Sequence, residues 1–259
     1  MSTFNIPTSW DGVTVSQFKE IFSFKESDFD NIEEYFMQIL SILCDIPISD
    51  IEEMDYEFLM ESIQKIFFIN TLPNKPPKPF IKTDYGMLYL KDDFNRLTVG
   101  EFIDIENLML NNHNENLNLN LGIFYRHKDV KNSALYLDTY EPYGDWIYHR
   151  APLFEYTYIN DVYGVINKYL IFRKDFFERY AGLFDDSVVD EEDIDETDSI
   201  SKSEKMKDDE KQKNIKKWSW DLLIYNLAKK DPIKFEEATT MSVIQAFNIF
   251  SMKKELGLE

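Results

Sequence analysis

The sequence predicts a mainly α-helical protein, and three observations predict it. Apolar residues recur at three- and four-residue steps over most of the chain, the period of helices with one buried stripe. The phrase TVSQFKEI at residues 14–21 returns as TVGEFIDI at 98–105, and each copy opens like a capped helix. Four prolines, Pro73, Pro76, Pro77 and Pro79, fall between the two helical stretches and separate them.

The elements follow in order. Thr14 with Gln17, and Thr98 with Glu101, fit the capping box: the threonine hydroxyl takes the third helical N–H and the amide or acid reaches back. Val15, Phe18 and Ile21 then share one face, as do Val99, Phe102 and Ile105, and Trp10 and Phe94 give each helix an aromatic lead-in. A second helix is predicted over residues 31–43 through Ile32, Tyr35, Phe36, Ile39, Leu40 and Leu43, ended by Pro47. A third is predicted over 57–69, capped by Asp55 or Asp50. Residues 1–72 form helical unit 1 on this reading.

Residues 73–92 form a link. Its TLPNKPPKPF portion is extended and semi-rigid, and FIKTDYGMLYL closes a short hairpin around Asp84-Tyr85-Gly86. Residues 93–184 form helical unit 2. Its 117–127 stretch makes either a helical face through Leu117, Leu121, Phe124 and Tyr125 or a strand alternating at Leu117, Leu119, Leu121 and Ile123. An irregular segment follows, set by Pro142, Gly144 and Pro152, and then a helix through Ile159, Val162, Tyr163, Ile166, Tyr169 and Leu170. The order echoes unit 1, which points to a duplication, the alternative for the eight residues of likeness being two independent capping boxes.

Residues 185–216 read as a solvated acidic and mixed-charge linker, whose later half is able to form a docked helix. Deleting residues 185–200 is expected to leave folding nearly unchanged. Residues 217–259 predict a C-terminal helical hairpin broken near Asp231-Pro232. It is too small to bury a core alone, so it must dock on its own chain or on a partner.

The formal charge of −20 argues against nucleic acid or an anionic membrane as the main partner. Nine of the acids lie between 185 and 198, which leaves −11 elsewhere and still suits a basic partner surface. Cys44 is the one cysteine, so no internal disulfide is expected; it reads as a small hydrophobe. The start lacks signal-peptide character and no apolar run approaches a membrane span of about 20 residues, so a cytoplasmic protein is expected.

The sequence contains no GxxxxGK[ST], GxGxxG, GxSxG or HExxH. The acidic run aligned from Asp190 has Asp195 where a calcium loop requires glycine. His113, His127 and His149 lack zinc spacing. No catalytic, cofactor-binding or metal-ligating residue is assigned, and no enzyme is expected. The contact candidates are Trp146, Tyr148 and His149, in an aromatic loop with Tyr140, Tyr143, Asp145 and Arg150, and Trp218, Trp220, Leu223 and Tyr225 in WSWDLLIYNL. The tail aromatics equally suit a core.

IPTSWDGVTVSQFKEI, ILSILCDIPISDIEEMDYEFL, KPPKPF, LTVGEFIDIENL, GIFYRH and WSWDLLIYNLAKKDPIKFEEATTMSVIQAFNIF, in this order, resemble a set of tailed-bacteriophage proteins. They look most like those of phages infecting low-GC Bacteroidetes-type hosts, labelled as tail assembly, tape-measure chaperone or virion structural proteins. The resemblance covers most of the chain except the acidic linker. It implies a morphogenesis protein in the host cytoplasm or the virion, without cofactors, whose partners are other phage tail or virion proteins or further copies of itself. A tape-measure-type chaperone is the leading expectation; a structural or packaged part of the tail, connector or capsid interior is the alternative.

Overall fold

Thr14 and Thr98 each cap a helix as their spacing predicts. In the computed structural model, which describes residues 5–110, 114–128, 140–141, 143–183 and 219–258, Thr14 opens α1 (Val15–Ser23). Its Oγ1 accepts from the Gln17 N–H at 3.2 Å, and Gln17 Oε1 accepts from the Thr14 N–H at 3.0 Å. Thr98 opens α5 (Val99–Leu110) in the same way, with Glu101 bonded to its N–H at 2.8 Å.

Between them lie three helices and a hairpin. Asn31 caps α2 (Ile32–Cys44) through the Glu34 N–H at 2.8 Å. Asp45 in the left-handed region, at φ 53°, ends that helix, a conformation that aspartate tolerates. Pro47 therefore does not stop α2; it precedes a short α3 (Ile48–Glu52) that the periodicity does not announce. Asp55, and not Asp50, caps α4 (Tyr56–Lys65), which gives way to a 3-10 turn at Phe67–Asn70. β1 (Phe80–Thr83) and β2 (Gly86–Leu90) form the predicted antiparallel hairpin with Thr83 opposite Gly86, whose φ of +115° requires a residue without Cβ.

The ambiguous 117–127 stretch is both things in turn. α6 (Leu117–Phe124) holds its helix, and β3 (Tyr125–Arg126) then adds to β2 as the third strand of an antiparallel sheet ordered β1-β2-β3. The segment predicted to be irregular contains α7 (Trp146–Arg150) and a 3-10 turn at Ala151–Phe154. α8 (Ile159–Val162) and α9 (Gly164–Arg179) follow. Among the described residues, the C-terminal part is three helical pieces instead of a two-helix hairpin: α10 (Ser219–Leu227), α11 (Phe235–Thr240) after a turn at Pro232–Lys234, and α12 (Val243–Glu255). Trp218 and the 185–216 linker lie outside the described residues.

The chain divides into two compact units, one made of Met1–Asp92 with Ile105–Ile171 and the other of Asp93–Asp104 with Phe172–Glu259. Residues 93–184 thus contribute to both, and each unit draws together stretches far apart in sequence.

In the first unit, Phe18 of α1 packs against Trp10 at 5.4 Å and Tyr163 at 5.2 Å between ring centres. A backbone clip fixes this pairing: the Val15 N–H donates to Thr157 O at 2.9 Å, and the Ile159 N–H donates to Val13 O at 2.8 Å. The Pro-rich stretch is extended as predicted, but it is a seated strap. The Lys78 N–H donates to Asp161 O at 2.7 Å, Tyr125 Oη donates to Lys78 O at 2.8 Å, and Asn167 Nδ2 donates to Pro73 O at 3.1 Å. Lys75 pairs with Asp11, and Lys78 with Asp161 at 2.7 Å. A Cβ on Gly164 would lie 2.2 Å from Lys75 O, so only glycine lets the strap come this close.

The second unit has its own clip. The Val99 N–H donates to Met241 O at 2.8 Å and the Val243 N–H to Leu97 O at 2.9 Å. Phe102 lies at its centre, 4.9 Å from Phe176, 5.6 Å from Trp220 and 6.3 Å from Phe247. The C-terminal helices therefore find their core in cis. Phe102 and Phe247 are fully buried, a contribution of about 2 kcal/mol each from area alone.

Candidate functional site

The loop with mixed acidic, basic and aromatic character folds into α7, whose two sides differ sharply. Ile147 and Arg150 point inward and are buried. Arg150 Nε donates to Gly122 O at 2.9 Å, and its Nη1 pairs with Glu141, whose Oε1 also accepts from the His127 N–H at 3.3 Å. Arg126, also buried, donates to Glu141 O at 3.3 Å and lies with its guanidinium 5.1 Å from the centre of the Tyr143 ring. Burial lowers the pKa of Arg150, the Glu141 carboxylate raises it again, and the neighbouring Arg126 charge lowers it. Gly122 sets the approach of α6 to α7, because a Cβ there would meet Ile147 O at 3.2 Å.

The outer side of this anchored helix is aromatic. Trp146 is 61% exposed, Tyr148 is 64% exposed, and the exposed His149 ring lies tilted at 53° against Trp146 with ring centres 5.5 Å apart. The structure thus brings all three loop candidates to one short, firmly held helix. Two tyrosines farther along the same stretch, which the sequence reading misses, are also displayed, Tyr156 at 89% and Tyr158 at 52% exposure. Their signal was available as FEYTYIN, where they flank Thr157, the residue that the clip holds. Exposed rings that lose few rotamers on binding are the side chains that dominate protein–protein contacts.

The α10 candidates separate. Trp220 is half-buried against Phe102 and serves the core. Leu223 is half-buried, and Tyr225, at the margin of exposure, packs edge-on against Phe235 at 6.2 Å. Leu222, which suits a core in the sequence, is exposed on the same helix.

A shallow open groove of about 470 Å3 runs along α12, with Asn95, Gln245, Asn248 and Met252 in its lining. Burial raises the Cys44 thiol pKa, the wrong direction for a nucleophile. His127 Nδ1 lies 3.1 Å from Met87 O, and His113 is outside the described residues. Among the described residues, no cluster of three or more His, Cys, Asp or Glu is placed to hold a metal, and no helix is long and apolar enough to cross a membrane. Comparisons with protein-family models, with curated proteins and with solved structures find no match for this chain.

Proposed function

We propose that the protein is a non-enzymatic bacteriophage morphogenesis factor, a tail-assembly chaperone that binds a long hydrophobic tail protein of the tape-measure kind and shields it until polymerisation. The observation that supports this reading is α7: Ile147 and Arg150 fix the helix from below, while Trp146, Tyr148 and His149 face outward. Such a surface captures apolar client segments with little ordering of its own. The acidic chain, at −20, adds attraction for basic client segments.

The test is quantitative mass spectrometry of infected-cell lysate against gradient-purified particles. A chaperone is abundant in lysate and missing from particles. Fixed copies per particle would replace this reading with that of a structural or packaged virion component. In the lysate, Trp146→Ala combined with Tyr148→Ala should abolish client co-purification while the melting temperature stays unchanged.

A further inference from the structure

The offset between the two opening phrases, 98 − 14 = 84, relates much more than eight residues. The clip joins Thr14 to Tyr158 in the first unit and Thr98 to Ser242 in the second, and 242 − 158 is again 84. The same step carries Phe18 to Phe102 and Tyr163 to Phe247, and both pairs of rings are in contact, at 5.2 Å and 6.3 Å. α8 with the start of α9 therefore corresponds to α12.

In the first unit this helical face is occupied. The strap crosses it, with Lys75 on Asp11, Lys78 on Asp161, and the Lys75 carbonyl and Pro77 against Gly164. In the second unit the corresponding face is the open groove: Asn95 stands in place of Asp11, Gln245 in place of Asp161, Asn248 in place of Gly164 and Met252 in place of Lys168.

We propose that the α12 groove captures an extended, uncharged, proline-rich segment of a partner protein, held as the strap is held in the first unit. The four replacements define that segment. Both carboxylates that grip the strap lysines have become amides, so the segment carries no matching lysines and is bound through its backbone. Asn248 keeps the incoming backbone farther out than Gly164 does. Its Oδ1 accepts from Tyr180 Oη at 2.8 Å, which leaves Nδ2 to donate to a peptide carbonyl, as Asn167 Nδ2 does to Pro73 O. Met252, 51% exposed, exchanges an ammonium for an adaptable apolar arm suited to proline rings. An extended proline-rich peptide is already ordered, so its capture by a shallow surface loses little chain entropy. The inference rests on the internal repeat and is independent of the phage reading.

The test uses the full chain and a fluorescein-labelled peptide that copies residues 72–80 with Lys75→Gln and Lys78→Gln. Fluorescence anisotropy should show saturable binding. A peptide with its four prolines replaced by serine should bind about tenfold more weakly, and so should the Met252→Asp protein. Asn248→Lys, also at an exposed position, provides a second variant should the first lose its fold, with the same loss expected. Absence of saturable binding, or binding indifferent to both variants, overturns the proposal. Sedimentation that shows copies of the chain associating, with Met252→Asp dispersing them, also overturns it by making the occupant a second copy.

Discussion

At Gly164 the absence of a side chain is what seats the strap. Gly164→Ala would place a methyl 2.2 Å from Lys75 O and 2.9 Å from Pro77 N, against backbone that cannot yield as a side chain does. It is expected to destabilise by about 1–3 kcal/mol, read as a lower melting temperature in calorimetry; an unchanged temperature would mean the strap is not seated there. Arg150 acts from the opposite direction, through what it holds. Arg150→Ala leaves Glu141 without its main counter-charge and the Gly122 carbonyl without its donor, so a loss of about 3–5 kcal/mol is expected in urea unfolding. Tyr125 carries a pH signature. Burial, reinforced by Asp161 and Asp92, raises its pKa above the ordinary phenol value of about 10, so the fold favours the neutral phenol that donates to Lys78 O. Its contribution is complete below about pH 10 and is lost as the pH rises toward the folded-state value. The unfolding free energy measured from pH 8 to 11 should fall less steeply in Tyr125→Phe than in the parent.

Local elements were legible where their causes are local. The capping boxes, the Asp84-Tyr85-Gly86 hairpin and the α2 helix need only neighbours within a few residues, and all formed, although the α2 stripe is buried only from Ile39 onward and Ile32 at its start is exposed. α3 was hidden because Pro47 reads as a stop, while the actual break is the left-handed Asp45 two residues earlier. α7 was hidden because proline and glycine on both sides outweigh five helical residues, and its stability comes from Arg150 reaching α6. The strap was legible as extended chain, but its seat was not, since that depends on Gly164, almost ninety residues beyond the prolines. The candidate contact residues show the same limit. Trp146 and Trp220 look alike in sequence, and only the distant Phe102 decides that one is packed while the other is displayed. Replacing residues 73–79 with a glycine-serine stretch of equal length should uncover α8 and α9 and make the first unit markedly more sensitive to proteolysis under native conditions.

At the scale of the molecule, each unit is assembled from separated stretches, so truncation does not remove a unit cleanly. A chain ending at residue 183 keeps Phe102, Phe176 and Tyr180 but loses Trp220 and Phe247, which cover them. This fragment is expected to bind the dye ANS strongly and to lose the near-ultraviolet dichroism of those rings, with the first unit still folded. The two clips also set an order in time. A ribosome adding about 5–20 residues per second needs roughly 7 to 30 s to travel from Thr14 to Tyr158. By then Thr98 and α5 have emerged as well, so the first clip partner to appear meets two waiting helices that open with nearly the same words. Backbone bonds cannot tell them apart; the choice falls to side chains such as Phe18 meeting Tyr163. The repeat that makes the fold readable on paper is thus also its opportunity for mispairing at birth.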